Sequence, residues 1–172
     1  MDPQQIIDWF KLQPNELEGG YFAGTYTSAL QIGSKDLPGF KPIDNKRPIC
    51  GAIYYFLDQT TFSAMHRVTG DMLYHFYSGD PVQVLLLYPE GSPNRSEVCI
   101  FSNDIAAGGS PMKLIPGGTW MGSRLAAAGS YALMGVTMSP GFDPADYSLG
   151  NREELIKQYP EQAALITELT RS

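Results

Sequence analysis

The chain has 172 residues, 43% of them hydrophobic and 17% charged. A chain of that length buries roughly 70% of its unfolded surface, so its core needs no disulfide or metal to hold it. Twelve Lys and Arg against 18 Asp and Glu leave a net charge of −6 with no basic block, which argues against a nucleic-acid partner.

The length predicts one domain over residues 1–172. No apolar run approaches 18 residues, and Met1-Asp2-Pro3-Gln4-Gln5 has neither a basic stretch nor an apolar core behind it. The expectation is therefore a cytoplasmic protein without a membrane partner. Cys50 and Cys99 are far apart and outside any CxxC, as expected of small buried hydrophobes.

Asp2-Pro3 suits a helix cap followed by proline at the first helical position, and Ile6, Ile7, Phe10 and Leu12 supply an apolar face. Gln13-Pro14-Asn15 ends that helix. In ELEGGYFAGTYTS a Gly-Gly pair gives way to alternating aromatic and small residues, the pattern of a strand. Residues 32–46 read as a long surface loop. Seven short strands then follow, over 49–57, 62–68, 72–77, 82–88, 97–102, 113–115 and 130–137, each bounded by Gly, Pro, Asp or Asn. Asn151 caps a further helix whose first turn carries Glu153 and Glu154, and Pro160 starts another. With 18 Gly and 13 Pro, the pattern is that of a β-rich sandwich or barrel with helices at both ends.

Both histidines lie in SAMHRVTGDMLYHFYSGDP, a strand, a tight turn and a second strand. Alternation sends Ala64 and His66 to one face and Ser63, Met65 and Arg67 to the other. Beyond the turn, Met72, Tyr74 and Phe76 share a face, with His75 opposite. A hairpin of this kind gathers Ala64, His66, Met72 and Tyr74 on one side of the sheet.

The spacing H-R-V-x-x-D-x-x-Y followed by Gly79 resembles the first motif of the cupins. EGGYFAGTYTS, AIYYFL, HRVTGD and MSPGFDPADYSL, in that order, resemble a cupin subfamily of unknown function labelled as a predicted sugar epimerase. The resemblance implies a mainly β, jelly-roll barrel with N- and C-terminal helices. By analogy it implies a homodimer, with the N-terminal segment as a candidate for strand exchange. Cupins that bind metal draw their ligands from two motifs, and those positions fall here on Ala64, His66, Met72 and Met121, the last from PGGTWM. One imidazole and two thioethers are a poor donor set for zinc, iron or manganese, so neither a metal nor another cofactor is expected.

Without a metal, His66 remains a natural general base. Metal-independent sugar-nucleotide epimerases of the superfamily pair a His base with a Tyr acid, which makes Tyr55, Tyr74 and Tyr131 the candidate acids and Asp71 a candidate orienting group. Trp120, Tyr74 and Phe76 suit an aromatic lining for a sugar ring, and Glu18 is either a pocket carboxylate or a solvent-facing turn residue. The expected function is an isomerase or epimerase acting on a small polar, sugar-like molecule. The alternative is a non-catalytic ligand-binding or storage-like barrel that has lost its metal site. Asp143 and Asp146 read as turn and capping residues. No nucleotide-binding loop, nucleophile elbow or HExxH motif is present.

Overall fold

The computed structural model describes residues 2–40, 46–126 and 129–171. Helix α1, Pro3–Phe10, opens as its sequence demands: the Asp2 side chain accepts from the Gln4 N–H, and Gln5 completes a capping box. Lys11, with a left-handed backbone, ends it. The strands in chain order are β1 (Gln13–Pro14), β2 (Tyr21–Thr27), β3 (Gln31–Gly33), β4 (Lys46–Pro48), β5 (Gly51–Asp58), β6 (Ser63–Val68), β7 (Asp71–Gly79), β8 (Val82–Leu87), β9 (Ser96–Phe101), β10 (Met112–Ile115), β11 (Trp120–Leu125), β12 (Tyr131–Ser139) and β13 (Tyr147–Leu149). Helix α2, Arg152–Gln158, is capped by Asn151, and α3, Ala163–Glu168, follows a 3-10 turn at Pro160–Gln162.

The strands form two antiparallel sheets in the orders β1-β2-β5-β12-β7-β10 and β13-β6-β11-β8-β9, with β3 and β4 paired separately. This is the mainly β jelly-roll barrel that the sequence predicts. The region read as a loop over 32–46 departs from expectation at both ends, where β3 and β4 pair; its residues 41–45 lie outside the described ones. Three further strands, β1, β11 and β13, have no counterpart in the sequence reading, two-residue β1 falling where only the end of the first helix is expected. In β11 the run WMGSRL carries too few branched residues to signal a strand, and three-residue β13 lies in a Pro-Gly-rich segment.

Strand alternation separates three apolar clusters. Tyr55, Leu57, Val68, Met72, Tyr74, Phe76, Val84, Leu86, Met121, Met134 and Val136 fill the space between the sheets. Outside the five-stranded sheet, Met65, Leu85 and Leu87 pack under Leu155, Ile166 and Leu169 of the C-terminal helices. Outside the six-stranded sheet, Ile6 and Leu12 pack on Phe56 and Leu133. The terminal helices thus cover the two outer faces, while the interior is left to the strands. Among the described residues, no helix is long and apolar enough to cross a membrane.

Candidate functional site

Strand β6 does not keep its alternation. Met121 opposes His66 and Ser123 opposes Ser63, so Ala64 and Met65 together face the single residue Gly122. The extra residue is a β-bulge. Its effect is to return Ser63 to the face of His66, while Met65 joins the cluster beneath the helices. The simple parity of the sequence reading therefore fails here. Ala64 enters the site through its backbone: its N–H donates to the Glu18 carbonyl, and its own carbonyl takes the His66 ring.

His66 is 2% exposed, with Nδ1 2.8 Å from the Ala64 carbonyl oxygen. A carbonyl only accepts, so in the neutral ring Nδ1 carries the proton and Nε2 is left with its lone pair. The Glu18 carboxylate lies 3.8 Å from Nδ1 and also accepts from the Ser63 hydroxyl at 2.7 Å. Ser63 is thus bound to the acid rather than to His66 and serves to position Glu18. Glu18 itself is placed by Gly19 and Gly20, whose φ values are +100° and +69°. A side chain at Gly19 would strike the Phe62 carbonyl, so only glycine allows this turn to fold against β5 and β6.

Three tyrosines surround this acid. Tyr55 donates to the Gly19 carbonyl at 2.8 Å. Burial, followed by the nearby Glu18 charge, pushes the Tyr55 and Tyr74 phenols well above their ordinary value. The third, Tyr147, stacks on His66 with centroids 5.6 Å apart and planes at 14°. Burial and then Glu18 raise its pKa as well. All three phenols remain protonated at neutral pH and can donate a proton or a hydrogen bond.

The structure thus gathers Glu18, Tyr55, His66 and Tyr74 from the sequence-derived set, with Met72, Phe76 and Met121 in the same interior cluster. Three other candidates are not there. Trp120 precedes inward-facing Met121 on β11 and so faces outward, under the C-terminal helices with the Arg67 guanidinium 4.5 Å from its ring centre. Tyr131 precedes inward-facing Ala132 and stacks on Phe56 on the outer face of the other sheet. Asp71 does not orient His66; it accepts from the Gly117 N–H at 2.8 Å and ties two turns together. Sequence reasoning missed Ser63, Ser123 and Tyr147. The first two depend on the bulge and on the unrecognised β11, while a short strand of a turn-rich segment carries the third.

The donor set does not suit a hard divalent metal. At the four motif positions stand a methyl group, one imidazole and two thioethers, and Glu18 adds a single carboxylate already engaged by Ser63. Among the described residues, no three His, Cys, Asp or Glu side chains converge.

Two antiparallel sheets closed around a buried histidine on β6 define a small-barrel class with its polar groups inside. The chain belongs to the cupin superfamily, in the family described as Cupin superfamily (DUF985), whose model matches residues 4–150. It is similar over its full length to a hypothetical protein from Leishmania major, at 22% identity and a TM-score of 0.86, with both chains covered at 100%. A Shewanella oneidensis protein shares 27% identity and a TM-score of 0.83, over 99% of this chain and 98% of its own. A dTDP sugar isomerase from Desulfovibrio desulfuricans shares the fold at 14% identity and a TM-score of 0.51, over 81% of this chain and 79% of its own. None of the curated proteins matches the chain.

Proposed function

We propose that the chain is a metal-independent isomerase or epimerase acting on a small polar, sugar-like molecule, with His66 as base and Tyr74 as acid. The observation that carries this reading is the His66 ring, whose Nδ1 is fixed by the Ala64 carbonyl and Glu18 so that Nε2 keeps its lone pair. Nε2 takes the proton from the carbon beside a substrate carbonyl, and that electron pair moves to form the carbon–carbon double bond of an enediol. The carbonyl oxygen takes the Tyr74 proton. Glu18 stabilises the imidazolium that results. Return of the proton from Nε2 to the neighbouring carbon, with a hydroxyl proton passing back to Tyr74, completes an isomerisation. Of the phenols that the sequence nominates, Tyr55 is already bound to the Gly19 carbonyl and Tyr131 lies on the outer face, which leaves Tyr74 for this role. The fold-level likeness to a dTDP sugar isomerase supports the reading only in that such a barrel hosts sugar isomerisation elsewhere.

The test is deuterium exchange into carbon-bound positions of free aldoses and ketoses incubated with the protein in D2O. The expected result is exchange that falls by about 10²–10⁴ in His66→Gln and in Tyr74→Phe, the range for a lost general acid or base. Exchange undiminished in His66→Gln would overturn the assignment. Binding without any exchange would favour the non-catalytic alternative.

A further inference from the structure

The cluster around His66 leaves two hydroxyls unused. Ser123 is 1% exposed, and among the described residues its Oγ has no hydrogen-bond partner. It opposes Ser63 in the β11–β6 register. Directly opposed residues project to the same face, so the Ser123 hydroxyl stands beside the group that holds Glu18. The Tyr147 hydroxyl is also buried without a partner, on the ring that stacks against His66. Buried hydroxyls left unsatisfied are costly, and native structures keep few of them. Two of them around one imidazole point to a ligand that brings polar atoms of its own.

The charges nearby narrow the chemistry of that ligand. Glu18 is the acid of the cluster, and several cations of the described residues are engaged elsewhere. Lys113 pairs with Glu97, Arg47 with Asp146 and Arg124 with Glu168, while Arg67 lies outside against Trp120. Arg171, on the exposed C-terminal segment, donates to the Glu16 carbonyl at 3.0 Å, and its charge is felt at the edge of the cluster by the Tyr147 phenol. A phosphate or carboxylate entering beside Glu18 would meet a like charge at close range, and Arg171 stands exposed at the edge of the cluster rather than buried within it. Hydroxyl, phenol and imidazole groups set among Tyr74, Phe76 and two methionines instead suit hydroxyl groups and the apolar faces of a ring.

We propose that the site takes a small uncharged polyhydroxylated molecule, a free hydroxy-aldehyde or hydroxy-ketone rather than its phosphate ester, with Ser123 and Tyr147 receiving its hydroxyls. This deepens the reading of the His66 cluster as a ligand site, but it does not depend on His66 acting as a base.

The experiment is calorimetric titration of the full chain with free pentoses and hexoses, and with the 6-phosphates of glucose and fructose. Saturable binding of a free sugar is expected, with the phosphate esters at least tenfold weaker. Ser123→Ala and Tyr147→Phe should each weaken the free sugar by about tenfold, with folding checked by thermal melts. His66→Gln should still bind sugar while losing exchange, which separates failure of the base assignment from failure of this proposal. Tighter binding of a phosphate ester would overturn the proposal. So would the absence of binding by every free sugar, or an unchanged affinity in both hydroxyl variants.

Discussion

Among the described residues two acid–base pairs are buried in this barrel, and they are built for different ends. Arg47 on β4 and Asp146 beside β13 are in direct contact, 1% and 6% exposed, with the Phe40 ring 5.0 Å from the guanidinium. They join a peripheral strand to the segment that carries Tyr147. Glu18 and His66 stand 3.8 Å apart and each has another partner, the Ser63 hydroxyl for the acid and the Ala64 carbonyl for the ring. The first pair is a direct buried contact between two segments, which suits a staple, with Arg47 Nε and Nη2 and Asp146 Oδ1 left without a hydrogen-bond partner among the described residues. The second keeps Nε2 free, as a group that must take up and give back a proton requires.

Removing one member of the Arg47–Asp146 pair should have the largest effect. Asp146→Asn leaves a buried guanidinium uncompensated, at a cost of about 3–5 kcal/mol. For a chain of this size that lowers the melting temperature by about 10 °C. Calorimetry checks it, and a loss below about 1 kcal/mol would mean that the pair is not a staple. The Glu18–His66 pair should respond differently. Glu18→Gln preserves the Ser63 contact but removes the charge beside His66, so the exchange rate should fall by about 10- to 100-fold with little change in melting temperature. A large loss of stability with normal exchange would reverse the comparison.

The outward aromatic residues give a smaller contrast. Tyr131→Phe should leave both exchange and ligand affinity within about twofold of wild type, because its ring belongs to the cluster under α1. Smallest and most gradual is the alkaline response. Tyr55 and Tyr74 have pKa values raised by burial and by Glu18, so above pH 10 the unfolded chain loses protons that the native chain retains. The native state then binds more protons, and stability falls as pH rises through that range. Burial pushes the Cys99 thiol up to about 11, which acts in the same direction from pH 9 upward. Denaturant midpoints measured from pH 8 to 11 should decline, and Tyr74→Phe should flatten the decline.

Much of the barrel was legible because strands announce themselves through β-branched and aromatic runs between turn residues, as in AIYYFL and VQVLLL. Both capped helices were legible for equally local reasons, since Asp2 and Asn151 act on their own first turns. His66, Glu18, Tyr55 and Tyr74 could be named because each lies in a segment with a clear pattern. Trp120 was misplaced because β11 was not recognised as a strand, and Tyr131 because its strand was read without fixing which face turned inward. Ser63, Ser123 and Tyr147 were hidden for a deeper reason. Their positions depend on how distant strands align, and neither residue type nor spacing carries that information.

The extra residue in β6 also sets terms for anyone who would engineer this barrel. Ser63, His66 and Met121 crowd one patch of wall, although the motif spacing nominates Ala64. Grafting histidines onto positions 63 and 121 would therefore build a three-imidazole nest around His66, whereas a histidine at 64 would have to compete for the space of the kink. Deleting Ala64 would act as a frameshift in orientation rather than in sequence, turning Ser63 away and leaving Glu18 without its hydroxyl anchor.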